Sequence, residues 1–406
     1  MPKKVCIIGG GAAGLVSARV ALQYGLEVDI FEQTSKIGGT WVYSDEIGCH
    51  TSMYKIMKTN LPKEAMLFEN TPFDDNLPSF MSHEDVLEYL EKFAESLKIP
   101  IRFETKVVNV ERVDESWKVT YIHNSIEEDG LYDAVLVCNG HFFEPLNPYE
   151  PSVFQGEILH SHDYRRAEKY KGKRVVIIGA GPSGIDIAMQ VEKFAESTTL
   201  ISKKATYTID ESVKIRQIPF HVKEIQKNSV LVEEKEEKIE TDVIIICTGY
   251  IFKFPFLSED LIEVKHNGMV VSPLWNHLSH VNYPDSLFFI GLPLATITFQ
   301  LFEVQAKYAS AVITGHASLP SQSELLDFEK NRLSKIASAA QYHCLVEEQW
   351  EMLDELAELG NFEKWKYLET IRKLYIYIIT ERRKNVVNYK NVNFKLNSDE
   401  TDFEVV

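Results

Sequence analysis

The sequence predicts an α/β protein in which two doubly wound, mostly parallel sheets share one chain, followed by a helical C-terminal region. Three observations carry that expectation. An apolar strand runs into a glycine-rich turn twice: Val5-Cys6-Ile7-Ile8 before Gly9-Gly10-Gly11-Ala12-Ala13-Gly14, and Val175-Val176-Ile177-Ile178 before Gly179-Ala180-Gly181-Pro182-Ser183-Gly184. Each copy leads on to an alternating, charged, β-rich stretch. Each then closes on an apolar run opened by an acid and ended by glycine, Asp133–Gly140 and Asp242–Gly249. Such continuous apolar strands suit the interior of a parallel sheet covered on both faces.

Taken in order, each turn has the GxGxxG spacing of a Rossmann-like dinucleotide-binding unit. Gly9 and Gly179 permit the tight turn, and Gly11 and Gly181 let backbone approach a pyrophosphate. Gly14 and Gly184 let the next helix pack close, its N-terminus aimed at the phosphates. The strand after the first turn, Val28–Phe31, ends in Glu32, roughly 20 residues on, where an acid binds a ribose 2′-OH. The corresponding strand after the second turn, Leu200-Ile201, ends in Ser202-Lys203-Lys204. A carboxylate there would repel a 2′-phosphate, whereas a hydroxyl and two ammonium groups bind one. The first site is therefore expected to hold FAD and the second NADPH. Two ordinary βα turns are the alternative. The strand before, the helical pattern after and the reader at the right distance count against it in both copies.

The first unit is much the longer, and its surplus lies between Thr40 and Pro100, where ring-binding and substrate segments belong. Val107–Val113 and Trp117–Ile122 alternate like a meander, and the charged run Glu233–Glu240 reads as a solvated hairpin face. A third apolar strand, Ser286–Leu292, precedes a helical pattern over Phe299–Thr314 that stops at Gly315. This order predicts an NADPH-binding domain inserted into an FAD-binding domain. Residues 1–163 form the first part of the FAD domain, 164–271 the NADPH domain, and 272–406 the completion with helices from Pro320 onward. Trp350, Trp365 and Tyr375 read as core, and the tail after Arg383 as polar and irregular. The aromatic helices could also bury an interface in a homo-oligomer.

A net charge of −17 argues against nucleic acid or an anionic membrane surface as partner. It fits a plain solvated surface better than any charge-tuned steering of a cationic substrate. No apolar run approaches the roughly 18 residues of a membrane span, and no targeting segment precedes the first strand. The expectation is a soluble, cytoplasmic protein without a membrane anchor, or a secreted one if a signal peptide has been removed. The five cysteines, Cys6, Cys49, Cys138, Cys247 and Cys344, form no CxxC and read as small buried hydrophobes. A disulfide oxidoreductase would need a thiol pair. His160-x-His162 and His277-x-x-His280 lack the companions a metal site needs, so none is expected.

Between the two turns, Phe154-Gln155-Gly156-Glu157-Ile158-Leu159-His160-Ser161-His162-Asp163-Tyr164-Arg165 resembles the FxGxxxHxxx(Y/F)(K/R) signature of the flavin-containing monooxygenases. The related Baeyer–Villiger enzymes usually carry Trp and then Pro or Asp at the last two places. Gly38–Trp41 is similar to the family's GGxW segment, and Met53-Tyr54 through Thr59-Asn60-Leu61-Pro62-Lys63-Glu64 to its SMYxxLxTNxPKE block. Thr248-Gly249-Tyr250 with Phe254–Leu257 is similar to its TGYxxxFPFL block. The resemblance covers residues 3–310, and the short C-terminus resembles soluble insect and microbial members, among them insect N-oxygenases of plant pyrrolizidine alkaloids.

The resemblance implies an NADPH- and O₂-dependent enzyme that forms a C4a-hydroperoxyflavin and oxygenates a soft nucleophile, foremost a tertiary amine. Sulfide oxygenation, Baeyer–Villiger oxidation and an NADPH-dependent flavin reductase are its alternatives. The cofactors do the hard chemistry, so no acid–base pair is required. By resemblance, Asn60 lies at the flavin's reactive edge and hydrogen-bonds the ring and retained NADP⁺ beside Thr59. An asparagine before Pro62 is also an ordinary turn residue. Glu32 and Gln33 would bind the FAD ribose, and Ala13, Gly39, Thr40 and Trp41 its diphosphate and ribityl region, with Trp41 equally a core residue. Val107 would meet adenine through its backbone, though a meander valine needs no such task. Gln305 would approach the flavin, although the helical position itself reads as solvated. Pro182, Ser183 and Gly184 would cradle the NADPH pyrophosphate. Lys203 would meet the 2′-phosphate, with Lys204 sharing the task or facing solvent. His160 reads as structural, since an isolated histidine is poor evidence for proton transfer.

Overall fold

The protein is described by a computed structural model covering residues 2–48, 50–149, 153–203, 207–210, 212–233, 236–397 and 399–406. Two parallel sheets organise it. The first runs, edge to edge, through Leu274–Trp275, Ser279–His280, Tyr283–Phe289, Ala134–Val137, Lys4–Ile8, Glu27–Phe31 and Ile101–Arg102. Its last five strands are parallel. The second runs through Ile215–Ile218, Ser197–Ile201, Arg174–Ile178, Val243–Ile246 and Glu157–His160, all parallel. In both, the strand feeding the glycine turn has its successor on one side and the acid-to-glycine strand on the other. The strand order reverses there, which opens a crevice at the carboxyl ends where ligands of doubly wound sheets bind.

The strand Glu157–His160 corrects one expected boundary. It pairs with Val243–Ile246 in the second sheet, so the chain leaves the first sheet before residue 163. The return is visible in Leu274–Trp275, which joins the first sheet again.

Both halves start with the same device. The Lys4 N–H donates to Asp133 Oδ2 at 2.6 Å, and the Arg174 N–H to Asp242 Oδ2 at 2.9 Å. The acid opening each closing strand thereby fixes the register of the strand beside it. Asp242 also receives the Arg174 guanidinium at 2.7 Å, and these bonds hold its carboxyl down at about 2. Because this folded value lies below the ordinary one, the stabilisation is complete above about pH 4 and fades as pH falls toward 2. Asp242→Asn is expected to flatten the acid limb of stability over that interval. Urea melts between pH 2 and 5 read it, and an unchanged limb would refute the contribution.

Outside the sheets, Thr105–Val113, Ser116–His123 and Ile126–Tyr132 form the expected meander, one strand longer than the sequence suggested. Ser229–Val232 pairs with Val222–Gln226 and Lys238–Glu240, so the charged run ends in a hairpin; residues 234 and 235 lie outside the described residues. The helix Thr298–Ile313 packs on Ala12–Gln23 and stops before Gly315, whose φ is +77°. Three further helices follow, Gln322–Lys335, Glu348–Leu359 and Leu368–Lys384, with Trp350 and Tyr375 buried.

The tail is not irregular. Phe394–Leu396 and Phe403–Val405 form a hairpin that docks through Phe394 N–H to Ser79 Oγ at 2.8 Å and Ser79 N–H to Asn393 Oδ1 at 2.9 Å. Its few apolar residues carried the signal: Phe394 is buried and edge-on to Phe80 and Tyr377. No described helix is long and apolar enough to cross a membrane.

Candidate functional site

The two glycine turns superimpose in chemistry. Gly9 and Gly179 have φ near +115° and +107°, and a β-carbon on either would stand 2.4 Å from the carbonyl oxygen of Cys138 or Cys247. At Gly14 and Gly184 a β-carbon would stand 1.9 Å from the oxygen of Gly9 or Gly179. These glycines are needed for closure of the turn and for helix packing. Gly181 differs: nothing lies within 4 Å of its would-be β-carbon, leaving open space where a pyrophosphate would approach. Helices start at Ala12 and Pro182, so Ser183 and Gly184 present first-turn N–H groups at the second turn and Ala13 does so at the first, as anion sites require. Pro182 contributes shape but no donor.

Around the first turn, Glu32 Oε2 accepts the Gly10 N–H at 2.8 Å, and Oε1 accepts the Thr34 N–H and hydroxyl, both at 2.8 Å. The carboxylate is thus held beside the loop, with lone pairs left for a ribose hydroxyl. Gln33 is exposed, its amide 3.1 Å from the His50 ring. The turn Gly39–Trp41 lies against the loop, with the Gly38 N–H on the Gly10 oxygen at 3.0 Å. Thr40 is exposed, and Trp41 is half-buried, edge-on to Phe299. The meander enters from the same side: the Thr105 N–H donates to the Glu32 oxygen at 3.0 Å, with Val107 buried two residues on at a slip in register. Glu32 and the turn that carries Gly39 therefore sit directly against the loop, with Gln33, Thr40, Trp41 and Val107 on the segments that flank them.

Gln305 corrects the expectation of a solvated position. It is fully buried, and its Oε1 accepts the Gly291 N–H at 2.9 Å, at the carboxyl edge of the first sheet. Its Nε2 has no partner among the described residues, a buried donor available to a ligand at that edge. The helix carries only two charged residues in its interior, and both are tied down: Glu303 to Arg19 at 2.6 Å and Lys307 to Glu69 at 2.5 Å. Read that way, the helix is buried nearly all round.

At the second site, the Ser202 N–H donates to the Ile218 oxygen at 3.0 Å and Lys203 is exposed at the strand end; Lys204 lies outside the described residues.

Asn60 stands apart from both turns, half-buried, with its Oδ1 accepting the Tyr389 hydroxyl at 3.2 Å. Thr59 is buried and exchanges bonds with Met81 at 2.9 and 3.1 Å. Close by, Lys390 pairs with Asp186 on the second turn's helix at 3.2 Å. Tyr389, Lys390 and Asp186 escaped the sequence reading, because no periodicity links positions so distant in the chain.

The residues between the turns serve the junction. His160 Nδ1 accepts the His162 N–H at 3.1 Å, and burial lowers the imidazole to about 4, so it is neutral at neutral pH. Arg165 donates to the oxygens of His162 (2.6 Å), Glu46 (2.8 Å) and Thr51 (3.2 Å), stapling the crossing to the segment ahead of Asn60. Burial pushes the Cys138 and Cys247 thiols up to about 12, which leaves neither as a thiolate nucleophile. Cys49 lies outside the described residues.

Comparison with known proteins agrees with this geometry. A family described as flavin-binding monooxygenase-like matches residues 2–220 and 211–366. The chain is 35% identical to flavin-containing monooxygenase FMO GS-OX4 of Arabidopsis thaliana, across 91% of this chain and 87% of that protein. The structure of S-allyl-L-cysteine S-oxygenase from Allium sativum is similar with a TM-score of 0.89 at 31% identity, covering 96% of this chain and 95% of the other. Tmm from a Pelagibacter species follows with a TM-score of 0.86 at 27% identity, over 99% and 96%.

Proposed function

The chain belongs to the flavin-binding monooxygenase-like family, and from that premise we propose that it oxygenates a soft heteroatom in a small molecule, the nitrogen of a tertiary amine or the sulfur of a thioether. It is a flavin monooxygenase with FAD and NADPH as cofactors. When bound, they supply two electrons and activate O₂, so that one oxygen atom goes to the substrate's lone pair and the other leaves as water. The first sheet's crevice holds FAD through the Gly9–Gly14 turn, the Gly39–Trp41 turn, Glu32, Gln33, Val107 and Gln305. The inserted second sheet holds NADPH through the Gly179–Gly184 turn with Ser202 and Lys203. The observation that carries the reading is the pair of turns with the same glycine spacing and opposite readers after them, a buried carboxylate in one and half-buried Ser202 with exposed Lys203 in the other.

In this reading Asn60, on the loop tied to the second turn's helix through Lys390 and Asp186, supplies an amide donor to the bound cofactors. Asn60→Ala is expected to leave reduction by NADPH intact, slow product formation by about 100-fold and raise the H₂O₂ released per NADPH. Unchanged product yield per NADPH would remove Asn60 from the site.

A tertiary amine, such as a plant pyrrolizidine alkaloid, is the first reading, drawn from the resemblance of the sequence to N-oxygenases. The thioether is the second reading, favoured by the likeness to an S-oxygenase of S-allyl-L-cysteine. Rapid mixing of the NADPH-reduced protein with O₂ tests the activity. Slow return of flavin colour without substrate, and oxygenated product formed one-for-one with NADPH when amine or thioether is added, is the expected result. Immediate return of colour with stoichiometric H₂O₂ on every substrate would make the protein a reductase. The ratio of kcat/KM for a trialkylamine and a dialkyl sulfide then separates the two readings.

A further inference from the structure

Residues 389 and 390 reach from the C-terminal region into both halves of the molecule. Tyr389 is buried edge-on to Phe80, and its hydroxyl donates to Asn60 Oδ1 at 3.2 Å. Lys390 Nζ donates to the Lys58 oxygen at 3.0 Å and to the two Asp186 carboxylate oxygens at 3.4 and 3.2 Å. Asp186 belongs to the helix Pro182–Val191 opened by the second glycine turn, and it also accepts the Tyr54 hydroxyl at 3.0 Å. One dipeptide thus touches the Asn60 loop twice and the second nucleotide helix once.

An asparagine side chain has an acceptor end and a donor end of the same shape, and its partners decide which end points where. A phenol that donates to Oδ1 leaves both Nδ2 hydrogens free for a ligand and ties the amide to a ring held against Phe80. Burial pushes the Tyr389 phenol up, so it stays a donor at working pH. The Lys390–Asp186 pair is largely withdrawn from solvent, with 12% and 10% of the side chains exposed. Such pairs give little net stability against apolar replacements, but their geometry specifies how packed elements register.

We propose that Tyr389 and Lys390 are positioning residues for the reaction. Tyr389 anchors the Asn60 side chain through its amide oxygen, and Lys390 sets the Asn60 loop against the helix that carries NADP⁺. This rests on the reading of Asn60 as cofactor-facing, and the experiment separates the two.

Tyr389→Phe keeps the ring against Phe80 and removes only the hydroxyl. In the FAD-loaded protein it is expected to weaken NADP⁺ binding, followed by flavin fluorescence, by about 5-fold, the size of one net hydrogen bond. H₂O₂ per NADPH rises with it, while flavin reduction and the melting temperature stay near wild type. In an Asn60→Ala background the same change is expected to add nothing. Wild-type NADP⁺ affinity and coupling in Tyr389→Phe, with Asn60→Ala uncoupled, would overturn the positioning role and spare Asn60. Wild-type coupling in both would overturn the reading of Asn60 itself. Lys390→Met is the second arm, expected to weaken NADP⁺ binding at unchanged FAD content; unaltered affinity overturns its part.

Discussion

Gly184→Ala is expected to abolish reduction by NADPH while the protein remains yellow. Its β-carbon would stand 1.9 Å from the Gly179 oxygen and 2.9 Å from the Gly179 carbon. Both are backbone atoms of a turn already committed to positive φ, so the helix or the turn must move. The N–H groups of Ser183 and Gly184 then lose their aim at the pyrophosphate. A displacement of about 1 Å at a positioning element costs on the order of 100-fold in rate, and kcat/KM for NADPH is expected to fall at least that far. Dithionite should still reduce the flavin, since the first sheet is untouched. Gly14→Ala presents the same 1.9 Å conflict with the Gly9 oxygen and is expected to strip the flavin instead. If the two variants exchange phenotypes, the cofactors have been assigned to the wrong sheets.

Lys203→Ala is expected to erase most of the preference for NADPH over NADH. A charge-assisted hydrogen bond contributes about 1.5–3 kcal/mol. Lys203 is exposed at its strand end, so the lower part of that range applies, about 10-fold in KM for NADPH. KM for NADH should hardly change. Raising ionic strength should weaken NADPH binding to the wild type more than to the variant. Equal losses with both nucleotides would show that Lys203 serves the fold and not the 2′-phosphate.

Much of this arrangement is legible in the sequence because it is local. A glycine turn between an apolar strand and a helix, and the polar reader at the end of the next strand, all lie within one βαβ unit. Glu32 thus follows the next strand and its carboxylate receives the Gly10 N–H. Gln305 was misread because one exposed-looking position was weighed singly, when the charged neighbours Glu303 and Lys307 already had distant partners to neutralise them. The contact between Tyr389 and Asn60 leaves no trace in spacing, since it joins segments 329 residues apart. The role of Arg165 was hidden for a related reason. The resemblance marks the residue, but its task of binding backbone oxygens of His162, Tyr164, Glu46 and Thr51 belongs to loops that show no pattern of their own.

The halves agree beyond their turns. Backbone bonds join Gly9 to Phe31 and Gly179 to Ile201, both at 2.8 Å, and Cys138 to Ile8 and Cys247 to Ile178, at 2.9 and 2.7 Å. Asp133 and Asp242 grip the strand starts alike. Two copies built to one stereochemical plan act as internal controls for each other. Tolerance to substitution, scored across residues 4–32 and 174–202, is expected to coincide position by position until the ribose readers are reached. Divergence starting there would locate the point at which a duplicated unit stopped answering to its own folding and began answering to its nucleotide.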